Sequence, residues 1–207
     1  MSFFSSIHFT PSVLFLYISI PYFSMLTFTY LGGTTVQLQA DKRSLLVLAD
    51  NNVKPSEGEL VLYNSPEEVP SKGTISWPGE YDIDGIAIRG IGHGEGASVS
   101  YAIEVEGVRC AFLHSPLKEW SDYELELMGD IDVLVIPSDD PKILQKLVDD
   151  IDPRILIPLD TGGADKHAEA LKVCGAQDKE PVDSYDVKGG SMPAEGREVV
   201  VLKAQKK

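Results

Sequence analysis

Gly129-Asp-Ile-Asp-Val-Leu-Val-Ile-Pro-Ser-Asp-Asp-Pro141, then Lys142 to Ile151, then Asp152-Pro-Arg-Ile-Leu-Ile-Pro-Leu-Asp-Thr-Gly-Gly163 is the stretch whose reading decides the fold. Ile131 to Ile136 and Arg154 to Leu159 are short, near-continuous apolar runs, the pattern of strands buried on both faces. Between them, Asp139 or Asp140 can cap a helix and Pro141 suits its first position. Ile143, Leu144, Leu147, Val148 and Ile151 then fall on one helical face. Strand, helix and strand with short links make a right-handed βαβ unit with parallel strands. Ser138-Asp139-Asp140 and Asp160-Thr161 follow the two strand ends, and α/β sheets build their sites at carboxyl ends.

Upstream of this unit the pattern is β-rich. Leu26 to Leu31 and Val36 to Ala40 alternate apolar and polar residues around a Gly32-Gly33 turn, and Leu45 to Ala49 is a continuous apolar strand ending at Asp50. Residues 54–73 carry many Pro, Ser, Glu and Gly and predict loops around a short strand at Leu60 to Tyr63. Asp84-Gly85 and Glu106-Gly107 mark two hairpins, because these residues tolerate the positive φ of a tight turn. Ser121 and Glu124 form a capping box for a helix through Met128, which Gly129 ends. Downstream, Ala164 to Cys174 predicts a helix with Ala168, Leu171 and Cys174 inward, and Glu198 to Leu202 a final strand.

The chain has 207 residues, 43% of them hydrophobic and 24% charged, which suits one domain with a sizeable core over residues 25–207. Its net charge of −14 repels phosphate backbones and argues against nucleic-acid binding. Cys110 and Cys174 read as two reduced thiols of a cytoplasmic protein rather than as a disulfide or a metal pair. Residues 1–24 hold no Asp, Glu, Lys or Arg, and Val13 to Ile20 between two prolines is too short to span a bilayer. They are expected to be an apolar extension upstream of a start at Met25, the alternative being a mobile apolar tail, so membrane attachment is not expected. An envelope location would follow only if they act as a signal or anchor.

Candidate chemistry is sparse. His93 lies in Gly90-Ile-Gly-His-Gly-Glu-Gly96, which lacks the G-x-G-x-x-G spacing and reads as a mobile turn with a solvated histidine. His114 precedes Ser115 in the chain, but a base must reach a nucleophile through the fold. Asp50 and Asp160 end strands, where aspartates often serve as caps. His167 is expected on an exposed helix face, and His8 falls in the extension. No H-E-x-x-H, zinc-spaced Cys pair, G-x-S-x-G elbow or Walker loop is present.

One longer pattern carries a resemblance. Trp77-Pro-Gly-Glu-Tyr-Asp-Ile-Asp-Gly-Ile-Ala-Ile-Arg-Gly-Ile91 resembles the "GPGEYEVKGV…GI" stretch of small metallo-β-lactamase-fold proteins, described as Zn-dependent hydrolases and related to the ascorbate-6-phosphate lactonases. The likeness continues through Tyr101 to Arg109, Leu125 to Pro137, Ile151 to Pro158, Glu180 to Asp183 and Glu198 to Leu202, with Thr29 to Gly32 fitting the first strand and turn. It implies an α/β (α+β) architecture, the four-layer αββα sandwich, with a site at one sheet edge.

The resemblance also implies a metal-activated hydroxide held by histidines and carboxylates. Most of the family's ligands come from an H-x-H-x-D-H loop after an early strand, and Asn64-Ser-Pro-Glu-Glu-Val-Pro70 stands in its place. Ser115 stands where "HLGD" has its Asp, and Asp160 where "IPMH" has its His. Asp50 keeps the Asp of "DPF" while Asn51 replaces its Pro, and His93 lies near the family's loop histidine. The candidate cleft residues are therefore Asp50, Asn64, His93, His114, Ser115 and Asp160. The expectation is a hydrolase-like pseudoenzyme with no metal or other cofactor, which binds a protein partner, its own copy or a small ligand. The alternative is an active hydrolase of phosphate esters or lactones. It would use zinc or another divalent metal in a rearranged site of Asp50, His93, His114 and Asp160.

Overall fold

A computed structural model of the chain describes residues 25–50, 54–188, 192–193 and 195–205. The expectations for residues 1–24, including His8, and for Asn51 lie outside the described residues.

Alternating and continuous apolar runs become two sheets. The first holds β1 (Met25–Gly32), β2 (Thr35–Ala40), β3 (Arg43–Ala49), β4 (Leu60–Tyr63), β5 (Thr74–Ile75) and, at its outer edge beside β1, β12 (Tyr185–Lys188). The second starts from β6 (Gly79–Ile83), β7 (Ile86–His93), β8 (Ser98–Val105) and β9 (Val108–Phe112), all antiparallel neighbours. It continues in parallel through β10 (Val133–Pro137), β11 (Ile155–Leu159) and β13 (Glu198–Val199). Apolar side chains from both sheets, among them Phe28, Leu38, Val47, Tyr101, Phe112 and Ile157, share one buried layer. That is the inter-sheet core of a sandwich.

Three helices appear among the described residues: α1 (Asp122–Met128), α2 (Pro141–Ile151) and α3 (Ala164–Val173). All pack on the far side of the seven-stranded sheet, where Met128, Leu144, Leu147, Val148 and Ala170 meet Leu134, Ile136 and Leu156. The fold is thus the expected two-sheet sandwich with its helices outside.

The deciding stretch folds as read. β10 and β11 pair in parallel from Val133 opposite Ile155 to Pro137 opposite Leu159. Asp140 is the cap of α2, accepting from the Lys142 and Ile143 amides at 3.1 Å each. At the Asp84-Gly85 and Glu106-Gly107 turns every residue has positive φ, between 52° and 78°, the geometry of a two-residue hairpin. Around α1 the capping box is complete in both directions.

Two expectations need correction. Ala168 is exposed while Ala170 is buried and His167 half-buried, so α3 is rotated from the predicted face. The helix has few large apolar residues to fix its rotation, and a hydrogen bond between His167 and the buried Ser138 sets it instead. His93 is not in a solvated turn: it is the last residue of β7 and only 4% exposed. The alternate glycines before it belong to the strand. A Cβ at Gly90 would lie 2.9 Å from the Trp77 carbonyl oxygen, and one at Gly92 2.6 Å from the Pro78 ring. The glycines therefore let the Trp77-Pro78 segment cross close over β7.

Candidate functional site

The parallel run β9, β10, β11 sends its carboxyl ends to one end of the sandwich, and β7, antiparallel to β8, ends there too. This is where the fold collects the candidate residues. Each is already engaged by a neighbour.

On the β11 side, Asp160 is exposed and its carbonyl lies 3.0 Å from the Tyr30 hydroxyl, which is also 2.9 Å from the Gly33 carbonyl. One hydroxyl hydrogen thus serves two acceptors and ties β1 to the end of β11. Burial, then the charges of Asp160 and Asp50, push the Tyr30 phenol up to about 12, so it stays a neutral donor. The Asp50 amide donates to Thr35 Oγ1 at 3.0 Å, and its carboxylate lies against Gly33, where a Cβ would come within 2.6 Å of Oδ2. Asn64 follows β4, and its carbonyl accepts the Val99 amide at 2.8 Å, joining the two sheets.

In the middle, Ser115 donates to Asp139 Oδ2, and Asp139 Oδ1 accepts the Leu117 amide at 3.0 Å. Asp139 therefore pins the chain after β9 and leaves the helix cap to Asp140. Ser138, fully buried, lies 3.0 Å from His167 Nδ1 and donates its amide to the Leu159 carbonyl and Thr161 Oγ1.

On the β7 side stands a buried histidine pair. His93 Nδ1 lies 2.7 Å from Glu124 Oε1, and its Nε2 lies 3.0 Å from Ser100 Oγ. His114, 1% exposed, brings both Nδ1 and its backbone amide to 3.0 Å from the same Ser100 oxygen. The two imidazoles stack at 4.4 Å, and Trp120 packs on His93 at 4.6 Å. Burial lowers both pKa values. For His114, burial, His93 and Lys118 together bring it to about 4. Burial opposes ionisation of Glu124, but hydrogen bonds from Ser121 and His93 outweigh it and hold the carboxyl below its ordinary range.

The six residues do not form one centre. β7 and β11 stand four inter-strand spacings apart in the sheet, about 19 Å by the usual spacing. His93 turns to α1 and Ser100, whereas Asp160 and Asp50 gather around Tyr30. In the loop after β4, Glu67 Oε2 accepts from Thr74 Oγ1, its amide donates to Ser76 and its carbonyl accepts the Trp77 indole at 3.0 Å. Among the described residues no group of three or more His, Cys, Asp and Glu could hold a metal ion. A tetrahedral zinc centre needs at least three converging donors, so the donors among the described residues do not fit one.

Tyr30, Ser100 and Trp120 were not singled out in the sequence, and Glu124 and Asp139 were read there as helix-capping residues, not as partners of His93 and Ser115. Tyr30 carried a signal: an inward position in an alternating strand with a hydroxyl that must find a partner. Ser100, flanked by Val99 and Tyr101 of the inter-sheet core, carried another, a polar residue on the helix-facing side of a buried strand.

No family model matches the chain, and no curated protein matches it either. Solved structures do. One is described as a Zn-dependent hydrolase of the metallo-β-lactamase superfamily from Thermotoga maritima, 20% identical, at a TM-score of 0.70 over 86% of this chain and 98% of that one. Another is described as a metal-dependent hydrolase from Parabacteroides distasonis, 16% identical, at a TM-score of 0.57 over 88% and 94%. The metallo-β-lactamase fold protein YhfI from Bacillus subtilis is 11% identical, at a TM-score of 0.55 over 86% and 97%. Two facing mixed sheets, helices outside and a shared strand end holding the polar residues agree with these likenesses: the chain has the metallo-β-lactamase fold.

Proposed function

We propose that this chain is a hydrolase-like scaffold that binds at the strand-end cleft without metal-dependent chemistry, a pseudoenzyme on a hydrolase fold. The observation that carries the reading is the loop after β4. It runs Asn64-Ser-Pro-Glu-Glu-Val-Pro70 with no histidine, and Glu67 is spent on Thr74, Ser76 and Trp77. Binding is further supported by Trp77 and Val69, which are 49% and 81% exposed at this loop, since exposed aromatic and aliphatic side chains mark contact surfaces. The occupant is a protein partner, a second copy of the chain or a small ligand. Elemental analysis of the purified full chain, followed by calorimetric titration with zinc, tests the reading. The expected result is less than stoichiometric metal and no tight binding. Stoichiometric zinc, with ester or lactone turnover that chelation removes, would replace it with the hydrolase that the described neighbours suggest.

A further inference from the structure

The hydrogen-bond arithmetic at Ser100 has a consequence for both buried histidines. A serine hydroxyl offers one hydrogen and two lone pairs. The His114 backbone amide takes one lone pair. One hydrogen and one lone pair remain for two ring nitrogens, His93 Nε2 and His114 Nδ1, each at 3.0 Å. One nitrogen must therefore be bare and the other must carry hydrogen.

Glu124 decides which. Its carboxylate accepts only, so His93 carries hydrogen on Nδ1. In neutral His93 the Nε2 is then bare and takes the Ser100 hydrogen. His114 must donate from Nδ1 into the remaining lone pair, which leaves its Nε2 as a bare acceptor. That nitrogen is buried and has no hydrogen-bond partner among the described residues.

We propose that Glu124, His93, Ser100 and His114 form a one-proton relay, in which a proton entering at His114 Nε2 reverses every hydrogen bond between the rings. A water-borne proton arriving at His114 Nε2 releases the Nδ1 hydrogen to Ser100 Oγ, and the Ser100 hydrogen passes to His93 Nε2. One proton enters, two hydrogens shift, and the charge rests on His93 against the Glu124 carboxylate. His114 ends neutral with its hydrogen on Nε2. A second proton has no place: three N–H groups would then point at the two lone pairs of Ser100, and two cations would stack at 4.4 Å.

The charged groups that face the pair support this order. Glu124 on α1 favours the cation on His93, whereas Lys118, from the segment between β9 and α1, disfavours charge on both rings. Trp120 covers His93 with an aromatic surface. The relay joins α1, through the partly exposed Glu124, to the end of β9, where Ser115 enters the cleft. It does not depend on what the cleft binds.

Nitrogen-15 NMR of the imidazoles in the full chain, followed from pH 8 downward, tests the proposal. Rings are assigned by contact with Trp120 and by single replacements of His8 and His167. At pH 8 both His93 and His114 are expected as the Nδ1–H tautomer, the rarer form in free imidazole. On acidification His93 should gain its second hydrogen in the same step in which His114 moves from Nδ1–H to Nε2–H. Nε2–H on His114 at pH 8, charge on His114 while His93 stays neutral, or two imidazolium rings in the folded protein would each overturn it. S100A should break the linkage, so that the His114 tautomer no longer changes as His93 titrates; retained linkage counts against the relay. If S100A does not fold, the tautomers of the unaltered chain at pH 8 still decide.

Discussion

His114 is a buried neutral imidazole stacked on His93 and bonded to Ser100, and its energetics set a pH dependence for the folded state. Its pKa falls from about 6.5 in the unfolded chain to about 4, and that of His93 also falls. Between these values the unfolded chain binds a proton that the folded chain refuses, so stability is complete above pH 6.5 and declines as the pH drops toward 4. His114 alone accounts for up to about 3 kcal/mol over that window. Urea midpoints measured from pH 7.5 to 4.5 should fall steadily; a flat profile down to pH 5 would show that neither ring is held neutral. Asp139 offers a second residue-level test. Asp139→Ala removes the acceptor of both Ser115 Oγ and the Leu117 amide, at an expected cost of about 2–3 kcal/mol for two bonds to a carboxylate. Denaturant unfolding reads it, and a change under 0.5 kcal/mol would mean the chain after β9 is held by other contacts. None of this was visible residue by residue. Asp139 and Asp140 are chemically identical neighbours, and only the course of the chain after β9 decides that one anchors a loop and the other caps a helix.

Elements were more legible than sites, because their signals are local. The apolar runs of β10 and β11, the Asp-Gly and Glu-Gly turns and the capping box of α1 each depend on residues within one element or its immediate flanks. What misled depends on distant chain. Gly90 and Gly92 look like loop residues until Trp77 and Pro78 cross over them, and α3, nearly without large apolar side chains, takes its rotation from Ser138 on another element. The helix caps give a prediction at this scale. Asp140→Ala deletes the side-chain acceptor for two amides of α2 and should cost about 1 kcal/mol, with Asp140→Ser nearly neutral. Equal losses for Ala and Ser, measured by urea unfolding, would place the cost elsewhere than in the cap.

At the scale of the whole molecule, the two sheets are stitched at both margins. The chain passes from β5 to β6 through Ser76-Trp77-Pro78, and Val182 bridges Leu202 beyond β13. Tyr30 and Asn64 add hydrogen bonds across the cleft end. The metal-free cleft proposed above predicts that a chelator in excess leaves the thermal midpoint unchanged. A fall of several degrees on chelation would contradict a metal-free cleft. Charge is the opposing whole-molecule term. A net charge of −14 repels itself in the compact state. Salt that shortens the Debye length from about 30 Å at 0.01 M to about 8 Å at 0.15 M screens this repulsion. The same salt weakens ion pairs, but pairs such as Lys146–Glu119 and Arg154–Asp132 are at the surface, where ion pairs contribute little. Repulsion summed over the excess acidic groups therefore outweighs what screening removes from these pairs. The urea midpoint at pH 7.5 should rise when sodium chloride goes from 0.01 to 0.15 M, and a falling midpoint would show that local ion pairs, not net charge, govern the electrostatics of this fold.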